Sequence, residues 1–369
     1  MMLQHKILTI NPGSTSTKIA IYKGELELLN QTIRHSREDL EAYVSIFDQL
    51  DFRKQLIAEA LQQAGIDIAQ LDMVVARGGL LEPISSGIYE VNEEMLHDLK
   101  TATLQHASNL GAPIAQAIVE EAPQKLKAYI ADPVVVDELA DVARESGHPL
   151  FPRKSIFHAL NQKAVARQFA QKVGKPYEEL NLIVAHLGGG ISVGAHQQGK
   201  VIDVNQALDG EGPVSPERSG TLPVGDIIRA AFSGKYSEKE MLSMVVGEGG
   251  MVAYLDTNDA YQAVQSVEKG NAKAKHFFDV LTYQVAKEIG AMAAALGGKV
   301  DAIILTGGLA KSDRLVELIA DRIKFIAKVE VFPGEDEMRA LALNGLWLLE
   351  KKIEGKIYNP HGKSFEIQG

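Results

Sequence analysis

The feature of this sequence that most constrains its fold is an internal duplication. The segment ILTINPGSTSTKIAIYKGELELLNQTI, which starts at Ile7, aligns without a gap with LIVAHLGGGISVGAHQQGKVIDVNQAL, which starts at Leu182, so the offset is 175 residues. Gly13 coincides with Gly188. Each copy contains a short apolar strand, a turn of small residues, a second strand, a glycine turn and a third strand. The sequence therefore predicts an antiparallel three-stranded meander that occurs twice.

A second, shorter repeat follows each meander. DMVVARGG, which begins at Asp72, resembles DAIILTGG, which begins at Asp301. Both have the continuous apolar character of a buried parallel strand, and both end in a glycine pair. Helical patterns lie between and after these strands, and we predict helices over Glu93–Leu104, Ala112–Glu121, Asn161–Lys172, Asn271–Leu296 and Ser312–Ile326. The fold class is therefore α/β, with two halves that each contain a mixed five-stranded sheet flanked by helices.

The length of the chain also favours two domains. Its 369 residues exceed what one hydrophobic core usually organises. We predict an N-terminal domain over residues 1–150 and a C-terminal, nucleotide-binding domain over residues 151–337, with a final helix at about 338–369 that packs back on the first domain. Two similar halves that face each other would place both small-residue turns on one cleft, and we expect the halves to close on substrate by hinge motion.

Composition excludes several classes of function. The net charge is −10, and the acidic balance argues against a nucleic-acid partner. The chain has no cysteine, which excludes disulfides, thiolate catalysis and thiolate metal sites and favours a reducing compartment. No apolar run has the length of a signal peptide or of a membrane span. We therefore expect a cytoplasmic protein with no membrane partner.

The first turn, NPGSTSTK from Asn11 to Lys18, has the composition of an anion-binding loop. Small residues let backbone N–H groups approach a phosphate, and the hydroxyls and the lysine add donors. Ser14, Ser16 and Lys18 are alternate residues and should project from one face of the second strand. The alternative interpretation of this composition is an ordinary solvated hairpin turn.

The second turn contains three consecutive glycines, Gly188, Gly189 and Gly190, after His186. Three glycines weaken a strand unit, and they are expected where a ligand must approach the backbone closely. A nucleotide phosphate is the natural candidate for that ligand, although a simple β-bulge would also explain the composition. The duplication favours the functional interpretation, since both copies place an unusual turn at the same point.

Beyond these patterns, the chain resembles the acetate and butyrate kinase family over nearly its whole length. The most specific stretches are ILTINPGSTSTK (from Ile7) and VAHLGGGISVGAHQQG (from Val184), while RGGLLEPISSGIYEVN (from Arg77), QHASNLGAPIA (from Gln105) and GEGPVSPERSGTLPVGD (from Gly210) look like the butyrate kinase branch. The resemblance implies a duplicated actin-like (ribonuclease H-like) two-domain fold. It also implies an ATP- and Mg-dependent phosphotransferase that converts a short-chain carboxylic acid into an acyl phosphate, in a homodimer or a higher homo-oligomer.

The resemblance also assigns residue roles, each at a position that matches a family motif. The implied catalytic residues are Arg218 and His158, which hold the substrate and the phosphoryl group in transfer, together with Lys18, Asp132 and Arg77. The implied nucleotide-binding residues are Asn11, Ser14, Ser16, His186, Gly188, Gly189, Gly190, Gly307 and Gly308. Asp132 and Glu337 are the implied metal residues.

Some positions depart from the acetate kinase pattern. Acetate kinases have an asparagine where Gly189 stands, and they have an arginine a few residues before the glycine pair, where this chain has only Asp72 and Met73. Arg77, next to Gly78, is the candidate for that arginine's role. His106, in QHASN, is a candidate for a position on the substrate side.

Each site residue also has an ordinary structural explanation. Arg218 could be a solvated loop arginine, His158 a half-buried histidine at a helix start, and Asp132 a turn residue before Pro133. The acidic residues before and at Glu337 suit the positive end of a helix dipole whether or not a metal binds.

The implied reaction is a direct in-line attack by the carboxylate on the γ-phosphorus, for which no general base is needed because the acid is already ionised. Leu80, Leu81, Phe157, Pro213 and Val214 are candidates for the acyl pocket because they adjoin the motif residues. One methylene changes discrimination by only ~1–3 kcal/mol, so isobutyrate, valerate and propionate stay open beside butyrate. A sugar kinase and a non-enzymatic nucleotide switch are the competing functions on this fold.

Overall fold

The computed structural model describes residues 5–102 and 105–360, with the side chain of Arg37 left out. Within the described residues the chain forms two compact units, of which unit 1 comprises residues 5–102, 105–136 and 336–360 and unit 2 comprises Asp137–Glu335. The predicted helix end at Leu104 and the predicted C-terminal segment 361–369 lie outside the described residues.

Unit 1 is built on a seven-stranded sheet. Its strands are β1 (Lys6–Pro12), β2 (Ser16–Lys23), β3 (Leu26–Arg34), β4 (Met73–Arg77), β5 (Ile88–Glu90), β6 (Ala128–Ala131) and β12 (Gly355–Ile357), in the order β12-β5-β6-β4-β1-β2-β3. Its helices are α1 (Arg37–Glu41), α2 (Leu50–Gln63), α3 (Glu93–Thr101), α4 (Gly111–Glu120) and α13 (Glu337–Leu349).

Unit 2 is built on a five-stranded sheet. Its strands are β7 (Asn181–Leu187), β8 (Ile191–Gln197), β9 (Lys200–Val204), β10 (Ala302–Gly307) and β11 (Val329–Pro333), in the order β11-β10-β7-β8-β9. Its helices are α5 (Asp141–Arg144), α6 (Ala159–Val173), α7 (Val224–Ala231), α8 (Glu238–Val245), α9 (Met251–Leu255), α10 (Ala260–Glu268), α11 (Ala272–Ala295) and α12 (Asp313–Ile323).

The duplication seen in the sequence is a duplication of strands. In each unit the first three strands form an antiparallel meander, and parallel strands are added beside the first one. Strands β1 and β7 begin at Lys6 and Asn181, which are separated by the same offset of 175 residues as the sequence repeat. The predicted meanders and the predicted α/β class are therefore confirmed.

The prediction of five strands in each sheet is correct for unit 2 and wrong for unit 1. Two short strands extend the first sheet, since β5 pairs antiparallel with β6 and β12 pairs parallel with β5. Each of these strands has only three residues. Three residues are too few to show the alternation by which a strand is recognised in a sequence. These strands are defined by their pairing at the side of the sheet instead.

Both sheets are covered by helices on both faces, and the alternation of strand residues shows this. In β7, Leu182 and Val184 belong to the cluster that contains Phe169 of α6, whereas Ile183 and Ala185 belong to the core formed with α11 and α12. A strand buried on both faces reads as a continuous apolar run, as β7 and β10 do. In unit 1, α13 packs on the sheet, with Gly345 next to Val75.

The division between the units falls between Val136 and Asp137, whereas the sequence analysis placed a boundary near Leu150. Residues after Val136 bind within unit 2. The carboxylate of Asp137 accepts hydrogen bonds of 2.6 and 2.9 Å from Arg144. The carboxylate of Glu138 accepts from Lys163 at 2.6 Å and from the N–H of Val201 at 2.8 Å.

Local signals fix several helix ends. Asn271 and Ser312 are N-caps whose side chains accept from Ala274 N–H and Leu315 N–H, so α11 and α12 start where cap residues predict. Helix α6 ends at Gly174, which adopts the left-handed conformation that favours glycine. None of the helices in the described ranges combines the length and the apolar composition that crossing a bilayer requires.

Candidate active site

Polar residues occupy the carboxyl ends of three neighbouring parallel strands in unit 1. Asn11 lies near the end of β1, Arg77 ends β4, and Asp132 directly follows β6. The carboxyl ends of parallel strands are the edge at which α/β sheets bind ligands. The structure therefore brings three of the predicted site residues to one edge of the sheet.

Glu337, the first residue of α13, is held at this edge. Its Oε2 accepts a hydrogen bond of 2.5 Å from the Asn11 amide and lies 3.3 Å from a guanidinium nitrogen of Arg77. That guanidinium also lies 3.4 Å from Oδ1 of Asn11. Two donors from two strands thus orient one carboxylate, which is far from Asn11 and Arg77 in sequence.

Asp132 is 1% exposed and adopts a φ of 37°, a conformation that non-glycine residues rarely take. Its Oδ1 accepts hydrogen bonds from the Ser86 hydroxyl at 2.6 Å and from the Gly87 N–H at 2.9 Å. Strained residues of this kind persist where neighbours over-determine them, and they are concentrated at functional sites. The geometry thus favours a functional role over an ordinary turn residue.

The first turn shows the predicted alternation only from Ser16, where β2 begins. Ser16 is half-buried, Thr17 is buried and Lys18 is exposed, whereas Ser14 and Thr15 both lie before the strand and are both exposed. The turn is closed by a hydrogen bond of 2.7 Å from the Gly13 N–H to the Ser16 carbonyl. Hydroxyls and a lysine therefore project together from this hairpin.

A fully buried arginine, which sequence reasoning missed, supports the same turn from below. Arg53 of α2 donates to the Gly13 carbonyl at 2.9 Å and to the Thr17 hydroxyl at 3.0 Å. Gln49 accepts from the same guanidinium at 2.9 and 3.1 Å. His35 contacts the Thr17 hydroxyl at 2.9 Å. Burial lowers the pKa of Arg53 to about 10, so Arg53 stays a cation at neutral pH behind the proposed phosphate turn.

In unit 2, two histidine rings stack at the end of β7. The rings of His158 and His186 are nearly parallel, at 11°, with centroids 3.8 Å apart. His186 Nε2 lies 3.1 Å from the carboxylate of Glu335, and its Nδ1 lies 2.8 Å from Asn161 Oδ1. The stack and these contacts fix the orientation of both rings.

The loop that carries Arg218 is attached to the triple-glycine turn. The Gly189 carbonyl accepts from the Ser215 hydroxyl at 2.7 Å and from the Glu217 N–H at 3.1 Å. The guanidinium of Arg218, which donates to the Ala207 carbonyl, lies so close to Gly190 that a Cβ there would meet its Nη1 at 1.9 Å. Only glycine fits at this position, so the glycine turn makes room for the arginine.

A cavity of about 740 Å³ lies beside this turn. Its volume is in the range of small-molecule sites. Gly188, Gly189 and Gly308 line it, as the sequence analysis expects of nucleotide-binding residues, whereas Gly190 and Gly307 are not among its lining residues. Further lining residues, which sequence reasoning missed, are Pro216, Asn258, Ala260, Tyr261, Val264, Gln265, Glu268, Leu309, Lys311, Ser312 and Glu335.

Gly307 shapes the cavity without lining it. Its φ is 91°, and a Cβ there would meet the Leu187 carbonyl oxygen at 2.4 Å. The β10 strand can therefore turn into the short 3₁₀ helix Gly308–Lys311 only because this residue has no side chain. That turn places Gly308, Lys311 and Ser312 in the cavity wall.

The remaining candidates are His106, for the substrate side, and the residues proposed for the acyl pocket. His106 Nδ1 lies 2.9 Å from the Ser108 hydroxyl, and burial, and then the positive charge of Arg77, lowers the pKa of His106. Leu81 and Val214, two of the candidates for the acyl pocket, belong to the hydrophobic cores of units 1 and 2.

The donor chemistry of the site fits Mg²⁺. In the described parts of the chain, histidine and acidic residues do not gather in groups of three or more that could hold a metal. Mg²⁺ needs no such group, because it is usually bound by one or two carboxylates together with substrate phosphates and water. Asp132 and Glu337 supply carboxylate oxygens, and Oε1 of Glu337 has no recorded partner among the described residues.

Comparison with known proteins shows which family this chain is similar to. A family model for the acetokinase family matches residues 139–332. Butyrate kinase 2 of Clostridium acetobutylicum is 54% identical over 357 residues, which cover 96% of this chain and 100% of that protein. A probable butyrate kinase of Clostridium botulinum is 52% identical, with 96% of this chain and 100% of that protein covered.

The chain belongs to the acetokinase family. Two solved structures show that proteins with less than a quarter of their residues identical to this chain have the same fold. Porphyromonas gingivalis acetate kinase superposes with a TM-score of 0.76 at 17% identity, over 94% of this chain and 100% of that one. A propionate kinase from Francisella tularensis gives a TM-score of 0.73 at 20% identity, over 92% and 98% of the two chains. The duplicated actin-like two-domain α/β fold predicted from the sequence is thereby confirmed.

Two positions depart from the acetate kinase pattern, Gly189 and Arg77, and the structure shows what each of them contacts. The Gly189 carbonyl binds the loop of Arg218, and a side chain at this position would approach the carboxylate of Glu217 at 3.3 Å. Arg77 occupies the end of β4 and contacts Glu337, although it stands after the position where acetate kinases have their arginine.

Proposed function

We propose that this chain is a carboxylate kinase that transfers the γ-phosphoryl group of ATP to butyrate, giving ADP and butyryl phosphate. The observation that carries the proposal is the convergence at Gly188–Gly190 of the cavity, the paired imidazoles of His158 and His186, and the Arg218 loop. Relatives named as butyrate kinases, at more than half identity over their full length, support butyrate. They do not favour isobutyrate, valerate, propionate, a sugar or a nucleotide switch.

The cavity is the proposed nucleotide site. Phosphate groups would lie at Gly188–Gly190, where backbone N–H groups can approach them closely. The adenosine would lie along Tyr261, Val264 and Leu309, which give the cavity an apolar and aromatic wall. Gly307 and Gly308 shape the turn on that side.

In the proposed reaction a butyrate oxygen forms a bond to the γ-phosphorus while the bond from that phosphorus to the β,γ-bridging oxygen breaks. The bridging oxygen leaves with its electron pair as part of ADP. Such a transfer needs positioning and charge stabilisation more than covalent help. His158 and Arg218 would donate to the phosphoryl oxygens, which suits a site whose nearby carboxylate, Glu335, is already paired with His186.

Unit 1 would contribute the residues of its first turn and strand edge. Ser14, Ser16 and Lys18 offer donors on an exposed hairpin, and Asn11 and Arg77 orient Glu337. Asp132 and Glu337 would hold Mg²⁺, which when bound neutralises phosphate charge. Without cysteines the chain suits a reducing compartment, and the cytoplasm is part of the proposal.

Trapping of acyl phosphate as hydroxamate tests the reaction directly. ADP release and hydroxamate should both depend on ATP, Mg²⁺ and acid, with butyrate preferred in a panel of acetate, propionate, butyrate, isobutyrate and valerate. A difference of one methylene corresponds to ~1–3 kcal/mol, or ~10–200-fold in kcat/KM. ADP release that requires glucose, or nucleotide binding with no hydroxamate for any acid, would refute the proposal.

A homodimer is also part of the proposal, and one surface of unit 2 supports it. Between Thr221 and Glu248 no residue is buried, although this segment contains α7 and α8. Its helix α7 exposes Val224 and Ile228, and Phe232 directly after it is 89% exposed. Exposed apolar patches of this kind mark interaction sites, and a second copy of the chain is the proposed partner.

Light scattering after size exclusion tests this interface. Phe232→Glu should shift the dimer towards monomer, whereas the matched variant Phe325→Glu, at a phenylalanine that is 82% exposed outside the segment, should leave the mass unchanged. A monomeric unmodified chain, or an unchanged mass for Phe232→Glu, would contradict the proposed surface.

A further inference from the structure

A chain of buried hydrogen bonds runs from the interior of unit 2 to the ring of His158. It begins at the Tyr177 hydroxyl, 2.7 Å from His196 Nδ1, and continues from His196 Nε2 to Gln162 Oε1 at 2.9 Å. Gln162 Nε2 donates to the Ser192 hydroxyl at 2.8 Å, and that hydroxyl lies 2.8 Å from His158 Nδ1. Gln162, Ser192 and His196 are all fully buried.

The direction of this chain follows from one backbone contact. Gln162 Nε2 lies 3.1 Å from the carbonyl oxygen of Ser192. A carbonyl only accepts, so the group of Gln162 that faces it must be the NH₂ group. The amide oxygen of Gln162 then faces His196 Nε2, which must donate. Burial keeps the pKa of His196 well below its usual value, so this ring is neutral and its Nδ1 accepts from Tyr177.

The hydroxyl of Ser192 therefore has one acceptor for its proton. Its oxygen accepts from Gln162 and, at 3.4 Å, from the backbone N–H of His158. Within the described residues the only remaining contact of this hydroxyl is His158 Nδ1. The hydroxyl must donate to that nitrogen, so Nδ1 carries no proton and the proton of the ring lies on Nε2.

We propose that Gln162 and Ser192 are positioning residues that hold His158 as the neutral Nε2–H tautomer, so that Nε2 donates to the phosphoryl group. The role of the donor rests on the proposed function, whereas the tautomer rests on the contacts alone. A wrong tautomer places a lone pair where a donor is needed.

Long-range ¹H–¹⁵N spectra of enzyme with ¹⁵N-labelled histidine test the tautomer without any substrate. The His158 signals are assigned by their loss in His158→Asn, since the chain has 10 histidines. The expected result is an unprotonated Nδ1 and a protonated Nε2. A protonated Nδ1 in the unmodified enzyme would overturn the inference.

Gln162→Glu tests the source of the tautomer because it replaces the NH₂ donor by an acceptor of the same shape. The Ser192 hydroxyl should then donate to the new carboxylate, and His158 Nδ1 should gain a proton. Ser192→Ala is the second variant, which should mix the two tautomers by removing the donor. Ser266→Ala is the matched control, since that hydroxyl donates to the Ala263 carbonyl within its own helix, and it should leave the His158 signals unchanged.

Kinetics give the second readout. Gln162→Glu should lower kcat for hydroxamate formation by about 10²-fold, the scale of one lost preorganised donor. Ser192→Ala should lower kcat by less, because it leaves part of His158 as the Nε2–H tautomer. KM for ATP and butyrate should stay within about threefold in both variants. Unchanged His158 signals in both variants would overturn the roles of Gln162 and Ser192. If the unmodified enzyme forms no acyl phosphate but shows the Nε2–H tautomer, the proposed function fails while the structural inference stands.

Discussion

Replacement of Arg53 by methionine should destabilise unit 1 by more than a surface substitution can. Arg53 is fully buried, and its guanidinium supplies the donors that satisfy the Gly13 carbonyl and the Gln49 side-chain oxygen. No other donor to either oxygen is recorded among the described residues. An unsatisfied buried acceptor costs ~1–3 kcal/mol; Gln49 is buried, whereas Gly13 is half-buried, so the loss should cost about 1–3 kcal/mol. That is a large fraction of a typical stability of ~5–15 kcal/mol.

Urea unfolding followed by tryptophan fluorescence measures this cost. The chain has one tryptophan, Trp347, and it lies in α13, which packs on the sheet of unit 1. The signal therefore reports the unit that contains Arg53. The matched control is Lys54→Met, the next residue of α2, whose ion pair with Glu121 at 2.7 Å is at the surface. Surface pairs contribute ~0.2–1 kcal/mol.

Arg53→Lys is a milder change at the same position. It keeps the positive charge but loses the planar fork that reaches several acceptors, so its free energy of unfolding should lie between those of the unmodified chain and Arg53→Met. An unfolding midpoint for Arg53→Met that equals that of Lys54→Met would refute the reasoning, since it would mean that water or a rearranged turn satisfies both acceptors.

Three further predictions concern other parts of the chain. Arg218→Ala should lower kcat in the hydroxamate assay by about 10²–10³-fold, whereas Arg322→Ala, at an exposed arginine, should not. Burial, then the charge of Arg53, lowers the pKa of His35 from 6.5 to about 4. The unfolded chain therefore takes up the proton first, and the free energy of unfolding should fall by about 3 kcal/mol between pH ~6.5 and ~4; His35→Gln should reduce that fall in a urea series. Tyr261→Ala should weaken ATP binding about 5–150-fold by calorimetry if stacking on the base contributes ~1–3 kcal/mol, whereas the exposed Tyr283→Ala should have no effect.

Local patterns predicted the parts of the fold that local interactions decide. The cap residue Ser312, the apolar run of β10 and the glycine turns each act within a few residues, so they can be read in order along the chain. The duplication then related the two meanders. The short strands β5 and β12 escaped recognition because their pairing partners, far apart along the chain, define them.

In the candidate site, too, the sequence pointed to single residues and the folded structure showed how they meet. The resemblance to a family pointed to Asn11, Arg77 and Glu337 separately, and the tertiary structure shows that Asn11 and Arg77 hold one oxygen of Glu337. Arg53 carried no motif, since an arginine in an amphipathic helix normally points to water. Its role depends on contacts with a turn that only the folded chain brings to it.

The sequence by itself determined the repeated α/β architecture and the two small-residue turns, and its resemblance to a family led to the residues proposed to carry the chemistry. Only the tertiary structure decided the tautomer of His158, the support beneath the first turn and the residues that line the cavity. The physical reason is the distance along the chain over which each interaction acts. Backbone conformation and apolar periodicity are set by neighbours in sequence, whereas hydrogen-bond direction and close packing are set by atoms that meet only after folding.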